Sequence, residues 1–204
     1  MQISKSLQIL SLTLLAVTAG CSSGAQIKVE ESFPTVLYDS KNINTTVVFD
    51  EAFRVYSANP VENVSIDIGQ AQVDLLTNAF KGLFDEVTVV SSKEEVKSTS
   101  ELVIIPSVRE VQLSTPSDSY LNVYEVWIKY NLDIETFDGE AIDSWFMPAY
   151  GKTPNSFTVS KTKAIEQASI VALRDAGAKL ILDFYRIPSI YGWMEDNKKL
   201  EVKE

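Results

Sequence analysis

From Val123 to Thr136 the chain has a period of two. Tyr124, Val126, Ile128, Tyr130, Leu132 and Ile134 are apolar or aromatic, and Glu125, Lys129, Asn131, Asp133 and Glu135 between them are polar. A period of two places each class on its own face of a pleated strand, so the stretch predicts a half-buried antiparallel strand whose even face the rest of the domain must cover. At roughly 3.3 Å per residue it would span about 46 Å, long enough that a bend or bulge is expected within it. Phe137-Asp138-Gly139-Glu140 follows, and Asp-Gly between alternating runs signals a hairpin. A two-residue Asp138-Gly139 loop would set Thr136 opposite Ala141, Leu132 opposite Trp145 and Tyr130 opposite Met147. Trp145 and Met147 would then join the buried face, with Asp143, opposite Ile134, as the one poor fit.

Around this hairpin, 204 residues with 45% hydrophobic and 23% charged composition suffice for one well-buried core, and one domain is expected. There is no histidine, and Cys21 is the only cysteine. This removes a Ser-His-Asp triad, a Cys-His dyad, a Cys/His zinc site and an internal disulfide, so no cofactor, metal or catalytic residue is assigned and the chain is read as non-enzymatic. The net charge is −10, and −11 without residues 1–20 (28 acids against 17 bases). That sign argues against nucleic acid or anionic phospholipid as a direct partner, and its plainest meaning is solubility.

Residues 1–20 have the parts of a secretory signal: a short polar start with Lys5, an apolar run from Leu7 to Val17, and small residues before Cys21. The apolar run is too short for a permanent membrane span. Val17-Thr18-Ala19-Gly20-Cys21 resembles a bacterial lipobox, closely in its last three residues and less so at Thr18, where leucine is usual. The resemblance implies an acylated Cys21, and several acyl chains give the stable anchoring that one does not. Serine after the modified cysteine, here Ser22, implies the periplasmic face of the outer membrane.

Residues 21–44 read as the acylated cysteine and a flexible tether, with a short extended piece at Thr35 to Tyr38. A single domain is expected over 45–190, with a C-terminal tail at 191–204. Thr45 to Phe49 predicts a first strand running on through Phe53, Val55 and Tyr56. Asp67-Ile68-Gly69-Gln70 has the form of an N-cap with glutamine three residues on, and Val73, Leu76, Phe80 and Leu83 repeat at helical spacing behind it. Glu86 to Val90 predicts a strand, Lys93 to Ser100 a charged connection or short helix, and Leu102 to Pro106 a central strand that ends or bulges at the proline, with Val108, Val111 and Leu113 as its extension toward the Pro116 to Ser119 loop. Gly151-Lys152-Thr153 lacks the upstream glycine of a phosphate-binding loop and reads as a turn. Ser160 predicts the cap of a second helix, from Lys161 to about Tyr185, whose alanine-rich side would let it lie close on a sheet. Gly177 marks a kink or tight contact there. Tyr191 to Met194 is read as a flap over the core ahead of an exposed aromatic contact.

The fold class is therefore α+β: a mostly antiparallel sheet with two helices packed on one face. This order of elements behind an acylated cysteine resembles the small domains of Gram-negative envelope lipoproteins: the LPS-assembly lipoprotein, the auxiliary lipoproteins of ABC transporters, and those of polysaccharide and curli export. The resemblance implies a non-catalytic accessory or adaptor of an outer-membrane assembly or transport system, attached to the membrane by its lipid and meeting an envelope protein partner or glycolipid. The candidate partner surface is the sheet face away from the helices, at Trp127, Lys129 and Phe146. Two other readings stand beside it: a passive structural lipoprotein, and, with less support, an enzyme using Asp133 and Glu135 as paired carboxylates.

Overall fold

The computed structural model describes residues 24–34 and 39–197. The signal segment 1–20, Cys21, the extended piece at 35–38 and the tail beyond 197 lie outside the described residues. The long hairpin is present: β7 (Val123–Glu135) pairs antiparallel with β8 (Ala141–Pro154), with Leu132 opposite Trp145 and Tyr130 opposite Met147 as expected. The turn differs. Gly139 alone has positive φ (82°), its N–H donates to the Thr136 carbonyl at 3.0 Å, and the register shifts so that Glu135, not Thr136, faces Ala141. A two-residue turn would need Asp138 left-handed as well; a type I turn closed by glycine needs one such residue and accepts a one-residue slip. Asp143 finds a partner in the Ser189 hydroxyl.

β7 is not in a mostly antiparallel sheet. The five-stranded sheet has the order β5 (Phe84–Val90), β2 (Lys41–Val48), β6 (Leu102–Ser114), β7, β8, and β2 is parallel to both its neighbours. The sheet is mixed because two crossovers join its parallel strands, the second of them passing over β2. The first crossover passes through α1 (Glu51–Arg54), the hairpin of β3 (Ser57–Val61) and β4 (Val64–Asp67), and α2 (Gly69–Leu83). The second is the 91–101 connection, which lies over the opposite sheet face, where Val96 covers Val48, Val90 and Val103. Parallel neighbours require such crossovers, and periodicity along one strand carries no mark of its partner's direction.

The tether region also contributes structure. β1 (Ala25–Lys28) lies parallel to β4, completing a second, three-stranded sheet in the order β1, β4, β3, and Ile27, Val29 and Phe33 are buried. The strand expected to run on to Tyr56 stops at Val48, where the Asp50 carboxylate accepts from the Phe53 N–H at 2.7 Å and starts α1.

The inner face of the large sheet is covered by α2, by α4 (Lys161–Asp183) and by the small sheet. Tyr124, Val126, Ile128, Tyr130, Leu132 and Ile134 are all buried there. Ser160 caps α4 by accepting from the Lys163 N–H at 3.4 Å. The cap expected for α2 is shifted: Asp67 accepts from Gly69 at 3.2 Å, and Gln70 turns instead to Asp74 at 2.8 Å. Gly151-Lys152-Thr153 is no turn but part of β8, where α4 sits directly on the strand: a Cβ on Gly151 would lie 2.1 Å from the Ala168 carbonyl oxygen. Gly177 marks a tight contact, its face filled by Leu75 of α2. Inside the core, the Tyr130 hydroxyl donates to Gln72 at 3.1 Å and the Gln72 amide to the Phe53 carbonyl at 2.7 Å, so each polar group is satisfied. α5 (Pro188–Asp196) buries Ile190 and Met194 and leaves Tyr191 exposed, so the aromatic segment covers the core. Between β6 and β7 stands α3 (Pro116–Ser119), a single turn with a capping box at Thr115.

Candidate interaction face

The outer face of β6, β7 and β8 carries the residues that alternate away from the core. Trp127 stands between Gln112 of β6 and Tyr150 of β8, Lys129 between Glu110 and Pro148, and Asn131 between Ser107 and Phe146. The structure thus brings Trp127, Lys129 and Phe146 onto one surface. Trp127 is 41% and Phe146 49% exposed. Trp127 leans on Tyr150 with ring centroids 4.4 Å apart, tilted by 43°, and the Tyr150 hydroxyl donates to Glu125 at 2.5 Å. Burial first, then the bond to Glu125 and its charge, push the Tyr150 hydroxyl up to about 12.

Lys129 is paired rather than free. Its Nζ lies 2.6 Å from Glu110 Oε2, and Gln112 donates to the same carboxylate at 2.9 Å. The bond from Lys129, then that from Gln112, hold the Glu110 carboxyl below its usual range. One rung along, Asn131 is buried although it faces outward. Arg109 Nη2 donates to its Oδ1 at 2.9 Å, its Nδ2 donates to Asp133 at 2.8 Å and to Ser144 Oγ at 3.0 Å, and the Ser144 hydroxyl donates to Asp133 at 2.6 Å. Asp133 and Glu135 are engaged separately, Asp133 in this network and Glu135 with Lys93 at 2.8 Å.

Sequence reasoning missed Arg109, Gln112 and Tyr150. Arg109 is the extra residue of a bulge between Val108 and Glu110, so it and Glu110 both point outward. The signal was present: the buried positions of β6 change from even (Ile104, Pro106) to odd (Val111, Leu113) across Arg109. Tyr150 was lost with the reading of Gly151-Lys152-Thr153 beside it as a turn. Among the described residues no group of three His, Cys, Asp or Glu could hold a metal ion, and no helix is long and apolar enough to cross a membrane.

No protein-family model and no curated protein matches the sequence. Solved structures do. A DUF330 protein from Xanthomonas campestris aligns with a TM-score of 0.50 over 85% of this chain and 96% of its own, at 10% identity. A neuraminyllactose-binding hemagglutinin homolog from Helicobacter pylori aligns at 0.51 over 84% and 98%, at 11% identity. A minor lipoprotein from Acinetobacter baumannii aligns at 0.44 over 77% and 96%, at 11% identity. What the first two share with this chain is its fold.

Proposed function

We propose that the protein is a non-catalytic lipoprotein of the bacterial envelope, held at the periplasmic face of the outer membrane by acyl chains on Cys21, and that it serves an outer-membrane assembly or transport system as an accessory or adaptor. Its partner is another envelope protein, docked on the outer face of β6, β7 and β8. The observation that carries this reading is the open half of the large sheet. Helices and the small sheet cover one face, the 91–101 connection covers part of the other, and the remainder presents Trp127 on Tyr150 with Phe146 beside a rim of Glu125, Lys129 and Glu110. Aromatic residues are enriched at interface cores, and a polar rim around them is the usual anatomy. The same face is a poor setting for catalysis, since its carboxylates are tied to a lysine or to neighbouring hydroxyl and amide groups.

The test is co-purification of the full chain after mild detergent extraction. Trp127→Ala with Lys129→Glu should leave the fold and membrane fractionation intact and abolish recovery of the partner. Full recovery by the double variant would overturn the docking face, and recovery of a bound glycolipid with no protein would assign the face to lipid.

A further inference from the structure

Two loops meet at the end of the large sheet far from the Gly139 turn. One joins β6 to β7 through α3, the other joins β8 to α4, and they are pinned together: the Asn155 N–H donates to the Asn122 carbonyl at 3.0 Å, and the two side-chain amides meet at 3.1 Å. The Lys161 charge, after the Thr115 hydroxyl and N–H, helps to hold the Asp118 carboxyl low, so the start of α4 lies beside α3. From this end project Tyr120 (96% exposed), Leu121 (66%), Phe157 (58%) and Val159 (fully exposed). Tyr120 and Asn122 both have left-handed backbone (φ 56° and 52°), a conformation that disfavours large side chains and here directs an aromatic outward.

The N-terminal strand begins at the same end. β1 packs on α4, Glu31 is bonded to Arg174, and Phe33 shares a groove with Gly177 and Ile181, so the chain from Ala25 to Phe33 runs alongside α4 in the same direction. Six extended residues from Ala25 to Glu31 cover about 20 Å, the length of about 13 helical residues. Counted back from Arg174, Ala25 is level with the first turn of α4. The path through β4 agrees. Ala25 pairs with Val64, and from Val64 to Leu75, which faces Gly177, the chain advances about 25 Å, or about 17 helical residues. Cys21 is separated from Ala25 only by Ser22, Ser23 and Gly24. A fully extended chain of that length reaches about 14 Å.

We propose that this end, through Tyr120, Leu121, Phe157 and Val159, seats in the interfacial layer of a phospholipid bilayer, so that the domain lies against the membrane that anchors it. The proposal rests on the reading of Cys21 as the anchor and commits to the lipid surface because the leash leaves no room for a partner domain between. Leucine, phenylalanine and tyrosine partition into that layer, tyrosine with its hydroxyl at the water side. Lys161 at the start of α4 stands near Asp118, so apolar insertion, not charge, is the main attraction and the contact tolerates salt.

Because Cys21 is the only thiol, the test can supply the anchor chemically. The mature chain, starting at Cys21, is coupled through that thiol to a maleimide phospholipid in phosphatidylcholine vesicles, and amide hydrogen exchange is compared with the uncoupled chain mixed with plain vesicles. Exchange over 119–122 and 156–159 should slow about tenfold on coupling. Leu121→Ser with Phe157→Ser should restore fast exchange while the chain stays coupled, and 137–139 at the opposite end should exchange alike throughout. Unchanged exchange at both loops, or slowing confined to 137–139, would overturn the proposal. Acylation in the cell is not involved, so failure of the anchor reading, seen by mass spectrometry of Cys21, is a separate result.

Discussion

Tyr150 shows how one side chain ties the candidate face to the pH of its surroundings. Its folded pKa lies above the usual value near 10, so the folded chain holds the phenolic proton more firmly than the unfolded one does. The stability this contributes is fully present below about pH 10 and is lost as pH rises toward 12. Tyr150→Phe removes the hydrogen bond to Glu125 and should cost about 1 kcal/mol near neutrality. The deficit relative to wild type should then narrow above pH 10, because phenylalanine has no proton to lose. Urea unfolding at pH 8 and pH 11 measures both, and an equal deficit at the two pH values would remove Tyr150 from this account. Trp127 belongs to the same pair, since the tyrosine that carries the shifted proton also supports the indole.

At the scale of elements, the contact of α4 with β8 decides how closely the layers approach. Ala164, Ala168, Ala172 and Ala176 are buried without exposure, and Gly151 beneath them leaves no space for a methyl group. Gly151→Ala would force its Cβ to 2.1 Å from the Ala168 oxygen and 2.3 Å from the Ala172 nitrogen, both backbone atoms that cannot rotate away. Lifting the helix should cost about 3 kcal/mol or more. Gly192→Ala in α5 meets nothing within 4 Å and should be neutral or stabilise by up to about 1 kcal/mol. Chemical denaturation of the two variants tests this, and matching midpoints would mean that the helix does not bear on Gly151.

For the whole molecule, the consequence of the proposed anchor is orientation. With Ala25 and the apolar loops at one end and the Gly139 turn at the other, the outer face of the large sheet stands along the membrane normal, where an envelope partner can meet it from the side. Among the described residues no helix is long and apolar enough to cross a membrane. With Cys21 as the proposed anchor, Cys21→Ser should block lipoprotein processing and lipid attachment. Mass spectrometry of the wild-type chain should find an acylated N-terminal Cys21; a mature N-terminus elsewhere, without acyl mass, would refute the anchor.

Patterns repeated along one segment were legible before any tertiary contact was known. The alternation of β7 fixed its buried face, the Leu132–Trp145 and Tyr130–Met147 pairs followed from the hairpin, and the alanines of α4 announced close packing, because each depends on residues a few positions apart. The face holding Trp127, Lys129 and Phe146 came with them. Arg109 could have been found from the change of phase between Pro106 and Val111. What remained illegible depends on partners far along the chain. Val48, Val90 and Val103 form a second small core because 91–101 crosses over β2, and β2 is parallel to β5 and β6 only because of those crossovers. Ala25–Lys28 looked like tether because four residues hold no period strong enough to announce a strand; β4 supplies the backbone partners that make it one. Gly151 was taken for a turn since glycine is neutral between a bend and a close approach, and only the helix lying on it decides which. Local periodicity encodes which side of an element is apolar, whereas the direction and identity of its neighbours are settled by the burial of the whole chain.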